Sequence, residues 1–402
     1  MNDIAMRKDV LRSLGADAPT ADELLRYNEN VFLTPSPLPD FPLPDEAFVP
    51  VWEQYSDECT RAGGILPLMK YLVQLRFPIV EGMSRNADYL AATKKAKDPQ
   101  AMSSATGLGL RAPERCRVVI HSTLAGRIPL LIVGEREDFV ALMRALTHRS
   151  EPVPIPDSMG ACMVAGFNNL HRIRLLRERW EHENPAAAHE AGWQLEFEKI
   201  IPRKELYQDR FIILSEGPYS NVAALDLGLL SEEWRELSLV IRREHECTHY
   251  FTRRVFSKMR NNLMDELIAD YAGIVAVRGA YSAEWFLRFM GLERHPQYRE
   301  GGRFQNFRGE PALTDNAFAL LGSLVKSAAE SVEKFDHAQR ARLRDAKGRA
   351  YSLLALASLT LEELASADGD EMISRQLASL EARPTPWEQR RKPDPAPACA
   401  EN

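Results

Sequence analysis

Hydrophobic residues recur with helical spacing along most of the chain. The pattern predicts helices within the first thirty residues, over residues 51–61 and 66–75, and over most of the sequence from residue 231 onward. Six prolines in residues 35–50 interrupt this pattern. Because proline lacks an amide N–H and clashes with the preceding helical turn, this segment is predicted to be an extended connector.

Two regions have the character of β-strands. Residues 117–146, "RVVIHSTLAGRIPLLIVGEREDFVALMRAL", contain two β-branched runs around a Gly-containing turn and then an amphipathic stretch, which predicts a β-hairpin followed by a helix. Residues 209–225 contain the apolar run 211–214, a Gly-Pro turn and a shorter run at 220–223, which predicts a second strand region. Residues 165–183 predict one long helix with Phe167 on its apolar face.

These elements predict an α+β fold whose C-terminal half is helical. We expect a mostly helical N-terminal region at residues 1–115, which includes the proline-rich connector, and a main domain at residues 116–380. Residues 381–402 are proline-rich and charged and lack apolar periodicity, so they are predicted to be a disordered tail.

Composition narrows the class of protein. A chain of 402 residues with 45% hydrophobic and 27% charged residues is typical of a globular protein. Its net charge of −6 argues against general nucleic-acid binding, which requires a basic surface. We find no export signal and no apolar run near the roughly 20 residues that span a bilayer. The five cysteines form no C-x-x-C pair, so we expect a soluble, cytoplasmic protein with reduced thiols.

The stretch "VIRREHECTHYFTRR" at residues 240–254 contains two histidines four positions apart. It lies within a predicted helix, so His245 and His249 fall on one face, one turn apart, where both imidazoles can bind a single ion. Glu246 projects beside that face and can reach a metal-bound water, which places it as a general base.

A catalytic zinc site normally takes three protein ligands, and "NNLMDELIADYAGI" at residues 261–274 offers the third. Glu266 and Asp270 lie four positions apart on a following helix with apolar flanks. Carboxylates on such a helix are costly to bury unless a cation or hydrogen-bond donors compensate them. Glu266 as a metal ligand and Asp270 as the acceptor of a histidine N–H would satisfy both carboxylates. The alternative is a solvated helix face whose carboxylates pair with nearby basic residues.

"HECTH" followed by "DELIAD" resembles the H-E-x-x-H plus E-x-x-x-D pattern of the gluzincins, the thermolysin-like zinc metallopeptidases. The resemblance implies a zincin-like catalytic domain with a small sheet, an active-site helix and a helical C-terminal lobe. It further implies that His245, His249 and Glu266 bind Zn²⁺, that Glu246 is the base, and that Asp270 orients His245.

The resemblance covers about thirty residues and departs from the family at Asp265, where an Asn is usual. Gluzincin-like folds also pair an extended substrate with an edge strand upstream of the motif helix. By that resemblance, "PYSNVAAL" would place Asn221 and Ala223 at the substrate. No motif identifies the residue that stabilises the transition state, and the candidates are Tyr271, His295, Tyr298 and Arg308.

The resulting hypothesis is hydrolysis of a peptide or related amide bond by metal-activated water, carried out by a specialised intracellular processing enzyme. The alternatives are a non-peptidase metalloenzyme and a non-catalytic, zinc-stabilised binding protein. A di-iron site would need a second E-x-x-H, which we do not find, and a structural zinc site has no use for a base such as Glu246. The basic residues around the motif could attract a substrate anion or form a solvated face; they are Arg242, Arg243, Arg253, Arg254, Lys258 and Arg260.

Overall fold

The computed structural model describes residues 4–257, 262–341 and 345–383, and it has an α+β fold with 14 α-helices and four β-strands in these segments. The α-helices are α1 (Ile4–Ser13), α2 (Ala18–Tyr27), α3 (Val49–Ala62), α4 (Ala87–Lys95), α5 (Arg136–Thr147), α6 (Leu170–Glu183), α7 (Glu190–Ile200), α8 (Ser231–Phe256), α9 (Leu263–Arg278), α10 (Ala283–Met290), α11 (Asp315–Gln339), α12 (Ala346–Ala357), α13 (Leu361–Leu364) and α14 (Gly369–Glu381). The strands are β1 (Cys116–Thr123), β2 (Gly126–Val133), β3 (Ala161–Asn168) and β4 (Gln208–Ser215). No helix in these segments combines the length and the apolar composition needed to cross a membrane.

The four strands form one sheet in the order β1-β2-β4-β3. β1 and β2 make the predicted antiparallel hairpin, and α5 follows it directly. β4 pairs parallel with β2 and antiparallel with β3, so β3 is an edge strand of the sheet. A register shift between Ala165 and Phe167 bends this edge at Gly166, whose φ of 75° suits glycine.

Two secondary-structure predictions were wrong. Residues 161–168 form the strand β3, so the predicted long helix begins only at Leu170, after the Asn169 side chain accepts hydrogen bonds from the amides of His171 and Arg172. Residues 220–223 form no strand. Tyr219–Asn221 and Ala224–Leu227 are 3₁₀ turns, and positive φ angles at Ser220 and Asn221 exclude extended pairing there.

One compact unit comprises residues 44–219 and 230–246. In it, α3 packs on β1 and β2 while α5 packs on β2, β3 and β4. Fully buried aromatic residues fill the core, among them Trp52, Phe139 and Phe211. We expect these large side chains to supply much of the unit's hydrophobic stabilisation, because buried apolar area contributes about 25 cal/mol per Å².

A buried polar network crosses the same core. Asp209 on β4 accepts hydrogen bonds from the Trp52 indole (2.8 Å), from the Asn169 amide (2.6 Å) and from the Arg172 guanidinium (2.6 Å). Burial raises the pKa of Asp209, although Arg172 and the hydrogen bonds oppose that shift. The carboxylate is thereby paired and hydrogen-bonded to groups on α3 and α6, and it fixes both helices to β4.

The other compact unit comprises the described residues within 1–43, 220–229 and 247–402. Its long helix α11 packs against α10, α13 and α14, and α1 packs against α13. A buried ion pair joins Arg7 on α1 to Glu362 on α13 at 3.0 Å, and the Asn28 side chain donates a further hydrogen bond to Glu362. These partners are more than 330 positions apart in the sequence, so the unit is assembled from segments that are distant along the chain.

The division between the units falls within α8, of which residues 231–246 group with one unit and residues 247–256 with the other. The predicted domain boundaries at residues 115 and 380 stay predictions. The proline-rich connector has no regular structure over most of its length, as predicted. Most of the predicted disordered tail, residues 384–402, lies outside the described residues.

Candidate metal centre

The helix α8 carries both histidines of the motif. It begins at Ser231, has two glutamates in its first turn and two arginines in its last turn, and these charges suit the helix dipole at each end. His245 and His249 are buried, with 6% and 5% of their surface exposed, whereas Glu246 keeps part of its surface accessible. The predicted arrangement of two histidines on one helical face beside a more accessible carboxylate is therefore present.

The third predicted ligand lies in the first turn of α9. The Asn262 side chain accepts a hydrogen bond from the Asp265 amide and caps this helix. One ligand atom each from His245, His249 and Glu266 lies within 4.8 Å of the others. His249 Nε2 and Glu266 Oε1 are 3.6 Å apart, close to the roughly 3.4 Å expected between two ligands of a tetrahedral zinc with bonds of about 2.1 Å.

The carboxylates of α9 are buried. Glu266 is 9% exposed, and Asp265 and Asp270 are fully buried, so the alternative of a solvated helix face is wrong. Asp265, which stands where the gluzincin pattern has Asn, lies with Oδ1 3.5 Å from Nδ1 of His249. Burial by itself would lower the pKa of His249, but Asp265 and Glu266 outweigh it and raise that pKa well above its usual value. Protons and a metal ion therefore compete for this imidazole.

Asp270 contacts an arginine that the sequence analysis did not single out. Arg303 Nη2 lies 3.2 Å from Asp270 Oδ2 and also contacts Glu266, while Nη1 donates to Ser220 Oγ at 3.1 Å. Arg303 thus bridges the proposed third ligand and the proposed outer carboxylate. The predicted role of Asp270 in orienting His245 stays a prediction.

His245 contacts a tyrosine that the sequence analysis also missed. The hydroxyl of Tyr219 lies 2.9 Å from Nδ1 of His245, and both side chains are buried. Tyr219 is 26 positions from its partner, and Arg303 is 37 positions from Glu266. Neither separation in sequence corresponds to a periodic spacing within one helix or strand, so no sequence pattern links these residues to the motif.

Arg242, one of the basic residues considered as an anion site or a solvated face, is neither. It is buried, and its guanidinium donates hydrogen bonds to the carbonyl oxygens of Ser215, Gly217 and Pro218 at 2.7, 3.0 and 3.1 Å. Burial lowers its pKa to about 10, so it remains a cation at neutral pH. The Gly160 backbone lies against this guanidinium, where a Cβ would come within 2.6 Å of Nε.

The edge strand β3 carries a thiol that the motif's glutamate influences electrostatically. Burial, and secondarily the carboxylate of Glu246, raise the pKa of the Cys162 thiol on β3 to about 11, which indicates an inert thiol. The Ser215 amide donates to Gly160 O at 2.8 Å, just before β3 begins. Glu246 and β3 are therefore close enough to interact electrostatically.

The remaining candidate residues either contact other groups or lie where the predicted strand is absent. Asn221 lies in the first 3₁₀ turn and Ala223 directly precedes the second, so the edge strand on which their substrate role rested is absent there. The four residues considered for transition-state stabilisation contact other groups: Tyr271 donates to Asp336, His295 pairs with Ser323, Arg308 donates to Asp315, and Tyr298 packs against Phe304 and Phe318. Lys258 and Arg260 lie outside the described residues.

Comparison with known proteins gives one result. A protein-family model, described as a family of unknown function (DUF7005), matches residues 9–368, which is most of the chain. Neither the curated proteins nor the solved structures give a match.

Proposed function

For a chain that belongs to this family of unknown function, we propose zinc-dependent hydrolysis of a peptide or related amide bond. The observation that carries this proposal is the convergence of His245, His249 and Glu266, with ligand atoms within 4.8 Å of one another, next to the partly exposed carboxylate of Glu246. Two imidazoles and one carboxylate form a donor set that zinc favours in catalytic sites, where a fourth position stays open.

The surroundings of the cluster support a dication. Buried carboxylates are costly unless cations or donors compensate them. The guanidinium of Arg303 is shared between Glu266 and Asp270, and Asp265 and Glu266 both lie against His249, so a bound cation would add to this compensation. A bound zinc would lower the pKa of a water and polarise the scissile carbonyl. The Glu246 carboxylate would accept the proton of the attacking water and return it to the leaving nitrogen. Arg303 would keep Asp270 paired while Glu266 serves as a ligand.

The substrate would bind along β3 and not at residues 220–223. β3 pairs only with β4 within the described sheet, so its other edge offers backbone N–H and C=O groups to an extended segment. The Glu246 carboxylate contributes to the raised pKa of Cys162 on β3, which supports an edge close to the proposed base. A photoreactive substrate analogue should label residues 161–168, detected by mass spectrometry, whereas labelling confined to residues 220–223 would contradict this assignment.

The central test compares metal content and cleavage in the full chain. We expect about one zinc per chain by elemental analysis, and cleavage of some members of a mixture-based peptide library read by mass spectrometry. Glu246→Gln should retain zinc and lose about 10²- to 10⁴-fold in cleavage rate, because it removes the base without removing a ligand. Glu266→Ala should lose the zinc itself.

The matched control is Glu244→Gln. Glu244 lies one residue before the motif on the same helix and pairs with His121 at 3.2 Å, outside the proposed ligand set. This variant should keep both zinc and activity. An active Glu246→Gln variant would remove the proposed base, and a wild-type protein without zinc affinity would refute the metallohydrolase proposal altogether.

A further inference from the structure

The contact between Tyr219 and His245 has no counterpart in the sequence motif. Tyr219 is only 4% exposed, its hydroxyl meets Nδ1 of His245 at 2.9 Å, and the two rings lie nearly edge to face with centroids 6.0 Å apart. A histidine that binds a metal through one ring nitrogen uses the other for a hydrogen bond that fixes its tautomer and ring orientation. The Tyr219 hydroxyl occupies this second position.

The loop that carries Tyr219 is fixed by the same helix that carries His245. Arg242, three residues before His245, holds the loop through three carbonyl oxygens and lies 5.7 Å from the centre of the Tyr219 ring. Ser238, seven residues before His245, accepts a hydrogen bond from the Tyr219 amide at 3.0 Å. These three residues share one face of α8, so a single rigid element determines where the hydroxyl and the imidazole meet.

We propose that Tyr219 is a positioning residue that orients His245 for metal binding, with Arg242 and Ser238 holding Tyr219 in place. This inference rests on the proposed zinc site. With Nδ1 directed at Tyr219, His245 would bind the metal through Nε2, and its Nδ1–H would donate to the phenolic oxygen. A neutral hydroxyl fixes the ring without adding negative charge beside a site that already contains Asp265, Glu266 and Asp270.

The test uses Tyr219→Phe, which removes only the hydroxyl. We expect Zn²⁺ affinity, measured by competition with a chromophoric chelator, to fall about 10- to 100-fold. The visible absorption of the Co²⁺-loaded protein should also change, because the His245 ring would be less constrained. The matched control is Tyr207→Phe, which removes another buried hydroxyl in the same unit, one that donates to Ile201 O at 2.9 Å. It should leave both readouts unchanged.

A second variant checks the proposed support of Tyr219. Arg242→Lys keeps the positive charge but replaces a guanidinium that donates to three carbonyl oxygens with a single ammonium group. Zn²⁺ affinity should therefore fall in this variant as well. A folded Tyr219→Phe variant with wild-type affinity and an unchanged Co²⁺ spectrum would overturn the inference while leaving the zinc proposal intact. A wild-type chain that binds neither Zn²⁺ nor Co²⁺ would overturn both.

Discussion

Among single residues, Glu151 illustrates how backbone amides can fix a carboxylate. Its two oxygens accept hydrogen bonds from the amides of Gly82 (2.9 Å) and Ser84 (2.7 Å). Hydrogen bonds from the Ser84 side chain and from these amides lower the pKa of Glu151 in the folded protein. The charged form is therefore favoured by folding. The carboxylate's contribution to the free energy of unfolding is present above the unfolded pKa of about 4.3. It is lost as the pH falls through the lower pKa of the folded protein.

We expect Glu151→Gln to lower the melting temperature at pH 7, since an amide cannot accept both hydrogen bonds as a carboxylate does. The difference from wild type should shrink as the pH is lowered from 7 to 3, because protonation of the wild-type carboxyl is increasingly favoured below the unfolded pKa of about 4.3. Calorimetry at both pH values measures this change. The exposed Glu198, changed to Gln, is the control and should show little effect at either pH. An equal loss at pH 7 and pH 3 for Glu151→Gln would contradict the assignment.

Residue spacing was sufficient to predict the proposed ligands but not their partners. His245 and His249 are related by one helical turn, and the pair of carboxylates on α9 by another, so local geometry alone brought them into consideration. Tyr219 and Arg303 contact the proposed ligands from other segments of the chain. Tyr219 begins the 3₁₀ turn Tyr219–Asn221, and Arg303 begins the separate 3₁₀ segment Arg303–Phe307. Contacts of this kind depend on tertiary packing, which no periodicity in a single sequence encodes.

At the scale of elements, helices were predicted more reliably than strands. The hairpin β1-β2 has β-branched runs on both sides of its turn, and helices such as α8 and α10 have clear apolar faces. β3 was missed because it is an edge strand with small residues, a glycine bulge and only two buried positions, Val164 and Phe167. Residues 220–223 were assigned wrongly because their composition fits a strand, whereas Ser220 and Asn221 adopt left-handed conformations.

The Asp209 network gives an element-scale prediction. Asp209→Asn would leave the Arg172 guanidinium buried at 5% exposure without its carboxylate, and we expect a loss of about 3–5 kcal/mol, measured as a lower urea midpoint. The double variant Asp209→Asn with Arg172→Met removes both charges, so it should be more stable than Asp209→Asn alone. A double variant that is less stable than the single one would show that Arg172 acts chiefly through packing.

At the scale of the whole molecule, metal binding should be coupled to stability. A ligand that binds only the folded state stabilises it by about 2.7 kcal/mol at one hundred times its dissociation constant, which corresponds to roughly 3 °C in melting temperature for a chain of 402 residues. Zn²⁺ should therefore raise the melting temperature and a chelator should reverse that rise. His249→Ala, which lacks one of the three clustered ligands, should show little shift. An equal shift in this variant would place the zinc elsewhere.

The ion pair between Arg7 and Glu362 has a consequence for synthesis of the chain. These partners are 355 positions apart, so at about 5–20 residues per second the ribosome needs roughly 20–70 seconds to deliver Glu362 after Arg7. Residues 44–246 contain all the segments of the sheet-containing unit and emerge well before that. The unit that contains α1 is thus completed later than the sheet-containing unit, and α1 waits for 355 further residues before its buried partner is synthesised.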